Sequence, residues 1–243
     1  MSAFHTAQFY ELLGNRGGRL EREGSFLLEA LARAPFQSVA DLACGLGIHA
    51  LFFAEHGATV TATDLSPEMI QHASATRPHA NITYAVADMC TPSGGPYGLV
   101  VCLGNSLCLL QQDNALQDFF RNVSNVLAPG GLLITQTLNY ESAVMKSPRI
   151  RTENAATDDG DIAAVKRFLP AGDITTLTIT YYAALSGSLT EITETVQLRH
   201  WSADTLSQYT TATGMIIDGI YGTLKKDTYH SGSPDIILIA QKP

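Results

Sequence analysis

The chain has little positive charge and no long apolar run. Its 15 lysines and arginines are outnumbered by 23 acidic residues, giving a formal net charge of −8, and the basic residues form no cluster. Because nucleic-acid binding depends largely on cationic groups that neutralise phosphates, this balance argues against a nucleic-acid partner. No apolar run approaches the roughly 18 residues that a membrane span needs, and the N-terminus lacks a secretory-signal pattern. We therefore expect a soluble, cytoplasmic protein with no membrane partner.

The chain also has few cysteines. Its four cysteines show neither a Cys-x-x-Cys nor a cysteine–histidine spacing; they are Cys44, Cys90, Cys102 and Cys108. The sequence therefore predicts no metal site and no disulfide framework. We expect all four to be free thiols in a reducing compartment.

The length and apolar content of the chain suffice for one sizeable core. A chain of 243 residues, 45% of them apolar, fits a single domain with an elaboration better than two independent domains. After an N-terminal helical cover (1–37, with helices at 4–14 and 24–34), short apolar strands alternate with helices across 38–140. The strands are predicted at 38–43, 59–63, 83–87, 99–103 and 132–138, and the helices at 48–56, 67–76 and 115–127. This alternation predicts an α/β fold with a doubly wound, mostly parallel sheet.

The pattern changes after residue 140. Apolar and polar residues alternate at 163–169, 174–185 and 189–201, with turn residues between them, which is typical of antiparallel strands. We interpret 141–200 as an antiparallel β insertion that forms a lid, and the polar stretch 152–161 within it as a mobile loop. The segment 201–243 then supplies a last helix at about 202–213 and strands at 215–221 and 235–240.

A glycine turn follows the first predicted strand. Asp41 lies where that strand ends, and Gly45 and Gly47 allow the backbone to turn tightly and to approach a ligand without a Cβ in the way. Asp64 ends the next apolar run, where a carboxylate can accept hydrogen bonds from both hydroxyls of a ribose. This order predicts a nucleotide pocket. The glycines alone leave its ligand open, because Gly-x-Gly-x-x-Ala also fits the dinucleotide fingerprint of dehydrogenases.

The neighbouring sequence blocks narrow the choice of ligand. They are Asp41-Leu-Ala-Cys-Gly-Leu-Gly47, Thr63-Asp-Leu-Ser-Pro-Glu-Met-Ile70, Ala87-Asp-Met89, Val100-Val-Cys-Leu-Gly-Asn-Ser-Leu107 and Leu127-Ala-Pro-Gly-Gly-Leu-Leu-Ile134. In order and spacing this set closely resembles the motifs of class I S-adenosylmethionine (SAM) dependent methyltransferases, over roughly residues 19–140 and the last two strands. The resemblance implies a Rossmann-like sheet of seven strands and SAM as the cofactor.

The resemblance also implies roles for individual residues. Asp64 would bind the ribose, Asp88 would face the adenine amine, and Met89 would pack on the adenine ring. Asp41 would hydrogen-bond the glycine turn and the amino end of the cofactor. The whole implied cofactor set is Arg19, Asp41, Ala43, Gly45, Gly47, Asp64, Leu65, Asp88, Met89, Leu103 and Ser106.

Within this superfamily the chain is most similar to the glycine and sarcosine N-methyltransferase branch. In that branch an arginine at the place of Arg19 grips the methionine carboxylate, and a guanidinium fork suits both of its oxygens. Asn105, Tyr140 and His200 are candidates for orienting the acceptor. Two departures stand out. Leu138 replaces the arginine that holds the amino-acid carboxylate in glycine methyltransferases, and Gly98 replaces a usual aspartate.

These observations predict methyl transfer from SAM to a small molecule by direct in-line displacement, with an amine nitrogen favoured. Leu138 argues against glycine as the acceptor. The alternatives are an oxygen acceptor, a nicotinamide-dependent oxidoreductase and a non-catalytic SAM-binding module. Tyr221 and Lys225 have the Tyr-x-x-x-Lys spacing of short-chain dehydrogenases, but an apolar run and Gly222 indicate a strand end there rather than a helix. The oligomeric state stays open.

Overall fold

The computed structural model of the chain describes residues 6–14, 18–185 and 187–243, apart from the side chain of Arg19. Two helices precede the first strand, α1 (Thr6–Gly14) and α2 (Arg19–Arg33). The core then runs β1 (Ser38–Leu42), α3 (Ile48–Glu55), β2 (Thr59–Asp64), α4 (Pro67–Thr76), β3 (Ile82–Val86), β4 (Tyr97–Cys102), α5 (Asp113–Val126) and β5 (Leu127–Leu138). The lid consists of β6 (Arg149–Thr157), β7 (Gly160–Ala171), β8 (Ile174–Leu185) and β9 (Ser188–Arg199). The chain ends with α6 (Ala203–Ala212), β10 (Ile216–Tyr221) and β11 (Asp235–Gln241).

The core strands form one seven-stranded sheet in the order β10-β11-β5-β4-β1-β2-β3. β11 is antiparallel to both of its neighbours, and the other pairs are parallel. β4 is buried along its whole length, as expected of a strand covered on both faces. The predicted doubly wound, mostly parallel sheet is confirmed. The strand order switches sides between β1 and β4, because β2 and β3 extend the sheet on one side of β1 whereas β4 and β5 extend it on the other. In open sheets of this kind ligands bind in the crevice at such a point.

Gly98 in β4 has a packing explanation. A Cβ added at this position would overlap the backbone carbonyl oxygen of Phe36. The chain therefore has no room for the aspartate that the related family usually carries here.

The lid is a separate antiparallel sheet in the order β6-β7-β8-β9. The predicted mobile loop at 152–161 is wrong, because β6 pairs with β7 in an unbroken register from Arg149 to Thr157. β6 is an edge strand whose side chains are mostly exposed, and Ala155 is its buried residue. An edge strand that buries so little side-chain surface can be largely polar. Its composition therefore resembles that of a loop.

Helix α1 packs on the lid. Phe9 and Leu13 belong to the same apolar cluster as Ile162, Ile179 and Tyr181 of the lid strands, and the rings of Phe9 and Tyr181 stack with centroids 4.9 Å apart. Helix α1 is also bound to the C-terminal end of α4, because Glu11 accepts hydrogen bonds of 2.6 and 2.7 Å from the guanidinium of Arg77, the residue after that helix. The N-terminal cover thus joins the lid to the core.

Candidate functional site

The glycine turn after β1 is held in left-handed backbone conformations. Ala43, Gly45 and Gly47 have φ angles of 54°, 53° and 73°. The Cys44 amide donates to the Thr63 carbonyl at 2.9 Å, which anchors the turn to β2. A Cβ added at Gly45 would meet nothing within 4 Å. The backbone at Gly45 therefore faces open space, which a side chain would fill.

Asp64 fixes the shape of this turn. Its Oδ2 accepts a hydrogen bond from the Gly45 amide at 2.9 Å, and its Oδ1 accepts one from the Ser66 amide at 2.9 Å. Each carboxylate oxygen can accept a second hydrogen bond. Asp64 is half-buried, so its remaining acceptor capacity is open to a ligand in the crevice.

A cavity of about 420 Å³ lies between the carboxyl ends of the core strands and the lid, which is within the usual range for small-molecule sites. Seven of the predicted site residues line it, namely Asp41, Ala43, Gly45, Asp64, Leu103, Asn105 and Ser106. The lid and α1 supply an opposite wall of Tyr10, Leu177, Ile179, Glu194, Val196 and Leu198.

Four other predicted cofactor residues lie outside this cavity lining. Gly47 is buried against Tyr84. Leu65 is 70% exposed, and Asp88 is exposed with its Oδ1 accepting from the Cys90 amide at 2.8 Å. Met89 packs against the core, and its sulfur lies 3.9 Å from Cys102 Sγ.

The residues that follow β2 and β3 nevertheless lie side by side, because the Ala87 amide donates to the Asp64 carbonyl at 3.0 Å. Leu65 and Asp88 therefore flank the rim next to Asp64. The predicted role of Arg19 falls on a side chain outside the described part of the chain.

Asn105 links the ends of β4 and β5. Its Oδ1 accepts from the Leu138 amide at 2.8 Å, and its Nδ2 donates to the Tyr140 hydroxyl at 3.0 Å. The Tyr140 ring stacks on His200 with centroids 4.3 Å apart, and His200 Nε2 lies 2.8 Å from Thr175 Oγ1. Tyr140 and His200 do not line the cavity. They lie behind Asn105 and support it.

Burial governs the protonation of this stack. It raises the pKa of Tyr140 well above its ordinary range and lowers the pKa of His200. Near neutral pH, Tyr140 is therefore a hydroxyl, and the shift favours the uncharged imidazole of His200. The stack can hold the turn after β4 without carrying charge toward the cavity.

Sequence reasoning missed the lid side of the cavity. Along β9, Thr193 and Thr195 are exposed, whereas Ile192, Glu194 and Val196 are partly buried. Glu194 is thus a charged residue on the inward face of an amphipathic strand. That departure from the period-two pattern was the available signal.

All four cysteines are buried free thiols. No group of three or more histidine, cysteine or acidic side chains in the described ranges is placed to hold a metal ion. None of the helices seen in those ranges is long and apolar enough to cross a membrane.

A carboxyl group near the end of β5 makes folding stability depend on pH. Asp235 pairs with Leu138 in the sheet register. Burial raises its pKa to about 6, a hydrogen bond with Gln136 lowers it, and Glu23 raises it further. Because the folded pKa lies above the ordinary value, this contribution to stability is present below pH 4 and is lost as the pH rises through 6.

We therefore expect Asp235→Asn to gain stability relative to the wild type between pH 4 and pH 7.5. The pKa shift would be worth about 3 kcal/mol for a fully buried group, and we expect about 1 kcal/mol after solvent screening of this half-buried one. Urea unfolding at both pH values measures the difference. A stability difference that does not change with pH would contradict this account of Asp235.

Comparison with known proteins places the site in context. Residues 39–131 match a family model described as a methyltransferase domain. The glycine N-methyltransferase of Rattus norvegicus is 28% identical over 145 residues, which cover 53% of this chain and 50% of that protein. A Synechocystis protein described as an uncharacterized methyltransferase is 35% identical over 129 residues, covering 53% and 59%. The chain spans about half the length of the curated relatives that it matches.

Solved structures extend the likeness to the whole chain. A SAM-dependent methyltransferase from Clostridium acetobutylicum superposes with a TM-score of 0.84 at 18% identity, covering 97% of both chains. The sugar N-methyltransferase KedS8 from Streptoalloteichus superposes with a TM-score of 0.80 at 19% identity, covering 100% of this chain and 96% of that one. At such low identity these structures establish the fold, including the lid.

Proposed function

We propose that this chain is a class I SAM-dependent methyltransferase and that it transfers a methyl group to the nitrogen of a small amine. The fold and the match of residues 39–131 to a methyltransferase family model support the first part. The observation that carries the proposal is the cavity enclosed between the glycine turn and the apolar wall of the lid. A cavity of this size suits small molecules. The net charge of −8 disfavours a nucleic-acid acceptor.

The residues present suit SAM. The open space at Gly45 allows a ligand to approach the backbone closely, and Asp64 keeps lone pairs for the two ribose hydroxyls. Leu65, Asp88 and Met89 follow the neighbouring strand ends, where they would form the adenine side of the site. When bound, SAM supplies a methyl group already activated on a sulfonium.

The protein's own part in the reaction is alignment and exclusion of water. In-line displacement needs the acceptor lone pair opposite the leaving sulfur, and positioning of this kind can supply several kcal/mol. Hydrogen bonds with Leu138 and Tyr140 hold the Asn105 turn in this wall of the cavity. Leu177, Val196 and Leu198 present an apolar surface opposite, which would keep water from the acceptor.

The placement of Tyr140 and His200 favours nitrogen over oxygen as the acceptor atom. An ammonium group can pass its proton to water or to a carboxylate, whereas an alcohol acceptor would want a stronger base within hydrogen-bond reach. Tyr140 and His200, the candidates for that base, do not line the cavity. An oxygen acceptor is the alternative.

The dehydrogenase alternative lacks support at the site. Tyr221 ends β10, Lys225 follows in a loop, and neither side chain lines the cavity. A measurement of turnover distinguishes an enzyme from a non-catalytic SAM-binding module.

Release of S-adenosylhomocysteine tests the proposal directly. Purified protein is incubated with SAM and a panel of small amines, alcohols and phenols, and the product is quantified by mass spectrometry. We expect turnover with one or more amines and slower turnover, or none, with the hydroxyl compounds. Turnover confined to phenols or alcohols would replace the amine assignment, and its absence with all three classes would favour the binding module.

Glycine is expected to be a very poor acceptor. Leu138 is partly buried against the core, where a carboxylate would have to shed water without a cationic partner. Two lid arginines are engaged elsewhere, because Arg149 lies 4.1 Å above the Phe168 ring and Arg199 pairs with Asp173 at 3.0 Å.

Wild-type protein should therefore give negligible methylation of glycine, and Leu138→Arg should gain weak activity toward amino-acid carboxylates. Initial rates of S-adenosylhomocysteine release with glycine, sarcosine and an active amine provide the comparison. Efficient turnover of glycine by the wild type would sink this interpretation of Leu138.

A further inference from the structure

The lid wall of the cavity contains one carboxylate among apolar side chains. Glu194 lines the cavity together with Val196 and Leu198 from the same strand and Leu177 and Ile179 from β8. A carboxylate on an apolar surface is costly to desolvate unless a partner compensates its charge. The groups around Glu194 therefore indicate which kind of ligand this wall can bind.

Two tyrosines hold Glu194 by hydrogen bonds. The Tyr181 hydroxyl donates to Glu194 Oε1 at 2.8 Å, and the Tyr10 hydroxyl donates to the same oxygen at 3.3 Å. Burial, with a contribution from Glu194, raises the pKa of Tyr10 to about 12 and that of Tyr181 further. Both hydroxyls therefore remain neutral donors and bring no charge to the carboxylate.

The second oxygen, Oε2, receives no hydrogen bond from the residues that the structure describes. Tyr10 comes from α1 and Tyr181 from β8, so two elements converge to orient one carboxylate of a third element, β9. Because both donors bind Oε1, Oε2 is available to a ligand.

The charge of the cavity points the same way. Its described lining includes the carboxylates of Asp41, Asp64 and Glu194 and no lysine or arginine. A lining of this composition favours cations and disfavours anions. Asp41 and Asp64 lie at the glycine turn, whereas Glu194 lies on the opposite, lid side.

We propose that Glu194 is the residue that recognises the acceptor, and that the acceptor class is a small amine with an apolar body, bound through its ammonium group to Glu194 Oε2. For methyl transfer the ammonium group gives one proton to Glu194 Oε2, which frees the nitrogen lone pair. This inference rests on the proposed function only in calling the bound amine an acceptor. The binding of the amine to Glu194 can be measured without turnover. The apolar lid side chains would contact the body of the amine, and an acceptor with its own carboxylate would be repelled. Tyr10 and Tyr181 are positioning residues in this arrangement.

Matched pairs of ligands test the assignment independently of catalysis. The probes are benzylamine with benzyl alcohol and cyclohexylamine with cyclohexanol, each titrated into protein saturated with S-adenosylhomocysteine at pH 7.5 and followed by calorimetry. In the wild type we expect each amine to bind about tenfold or more tightly than its alcohol, the scale of a hydrogen bond to a charged group. In Glu194→Gln we expect that ratio to fall to near one.

The control is Glu191→Gln. Glu191 is an exposed residue of the same strand, so this variant removes the same charge away from the cavity and should keep the wild-type ratio. Tyr181→Phe should lower the ratio only in part, because one of the two donors to Oε1 remains.

The cofactor is the competing partner for Glu194, because SAM carries a sulfonium that S-adenosylhomocysteine lacks. We expect Glu194→Gln to leave the ratio of SAM affinity to S-adenosylhomocysteine affinity unchanged. Selective loss of SAM affinity would assign Glu194 to the cofactor and overturn the proposal. It would be overturned equally by wild-type protein that binds amine and alcohol alike, or binds neither. Failure of methyl transfer with an intact amine preference would instead overturn the proposed function alone.

Discussion

Gly45→Ala is expected to abolish SAM binding in a protein that still folds, whereas Gly47→Ala is expected to destabilise the fold itself. Both glycines have positive φ angles, so alanine costs about 1–2 kcal/mol of backbone strain at either one. They differ in surroundings. A Cβ at Gly45 would project into open space beside the cavity, while one at Gly47 would lie 2.6 Å from the Tyr84 hydroxyl.

Overpacking at Gly47 adds about 1–3 kcal/mol to the strain, so we expect a total loss of about 2–5 kcal/mol in the free energy of unfolding. Urea unfolding measures stability and calorimetry measures SAM affinity. Gly172→Ala is the matched control for Gly45, because Gly172 has φ of 61° and no neighbour within 4 Å but lies in the turn between β7 and β8. Unchanged SAM affinity in Gly45→Ala would show that the ligand does not approach this backbone.

Asp64→Asn is expected to weaken SAM binding by about 10- to 100-fold. One carboxylate oxygen would be replaced by an NH₂ group, which would face a backbone amide donor and could not accept from a ribose hydroxyl. The loss of hydrogen bonds to a charged group is worth about 1.5–3 kcal/mol, which corresponds to this range of affinity. The Gly45 and Ser66 amides would each compete for the remaining oxygen.

Asp158→Asn, an exposed change in the lid, is the control for Asp64→Asn. It should leave both SAM affinity and thermal unfolding unchanged. A folded Asp64→Asn protein that binds SAM as tightly as the wild type would remove Asp64 from the cofactor site.

Local sequence signals were sufficient for most of the core. Helix α4 was predicted at its observed bounds, because Ser66 caps it by accepting from the Met69 amide and Pro67 occupies its first turn. Helix α2 begins at Arg19, five residues before the predicted start, because its first turn is polar. Strand β6 was missed for a related reason, since it faces solvent along most of its length.

The candidate site was predictable on one side only. Asp41, Gly45 and Asp64 are recognisable from the sequence because strand ends and glycine turns are local features. The opposite wall depends on how β8 and β9 pair and on where α1 docks, which are long-range outcomes. Tyr140 and His200, which the sequence predicts to orient the acceptor, lie behind Asn105 outside the cavity lining. Their position follows from tertiary packing, which local sequence features do not reveal.

Titration of the wild-type protein with SAM, and separately with NADH, tests the central claim most directly, because the same glycine pattern fits both cofactors. Calorimetry should show saturable one-to-one binding of SAM that S-adenosylhomocysteine displaces, with no heat of binding for NADH. Saturable binding of NADH without binding of SAM would contradict the account.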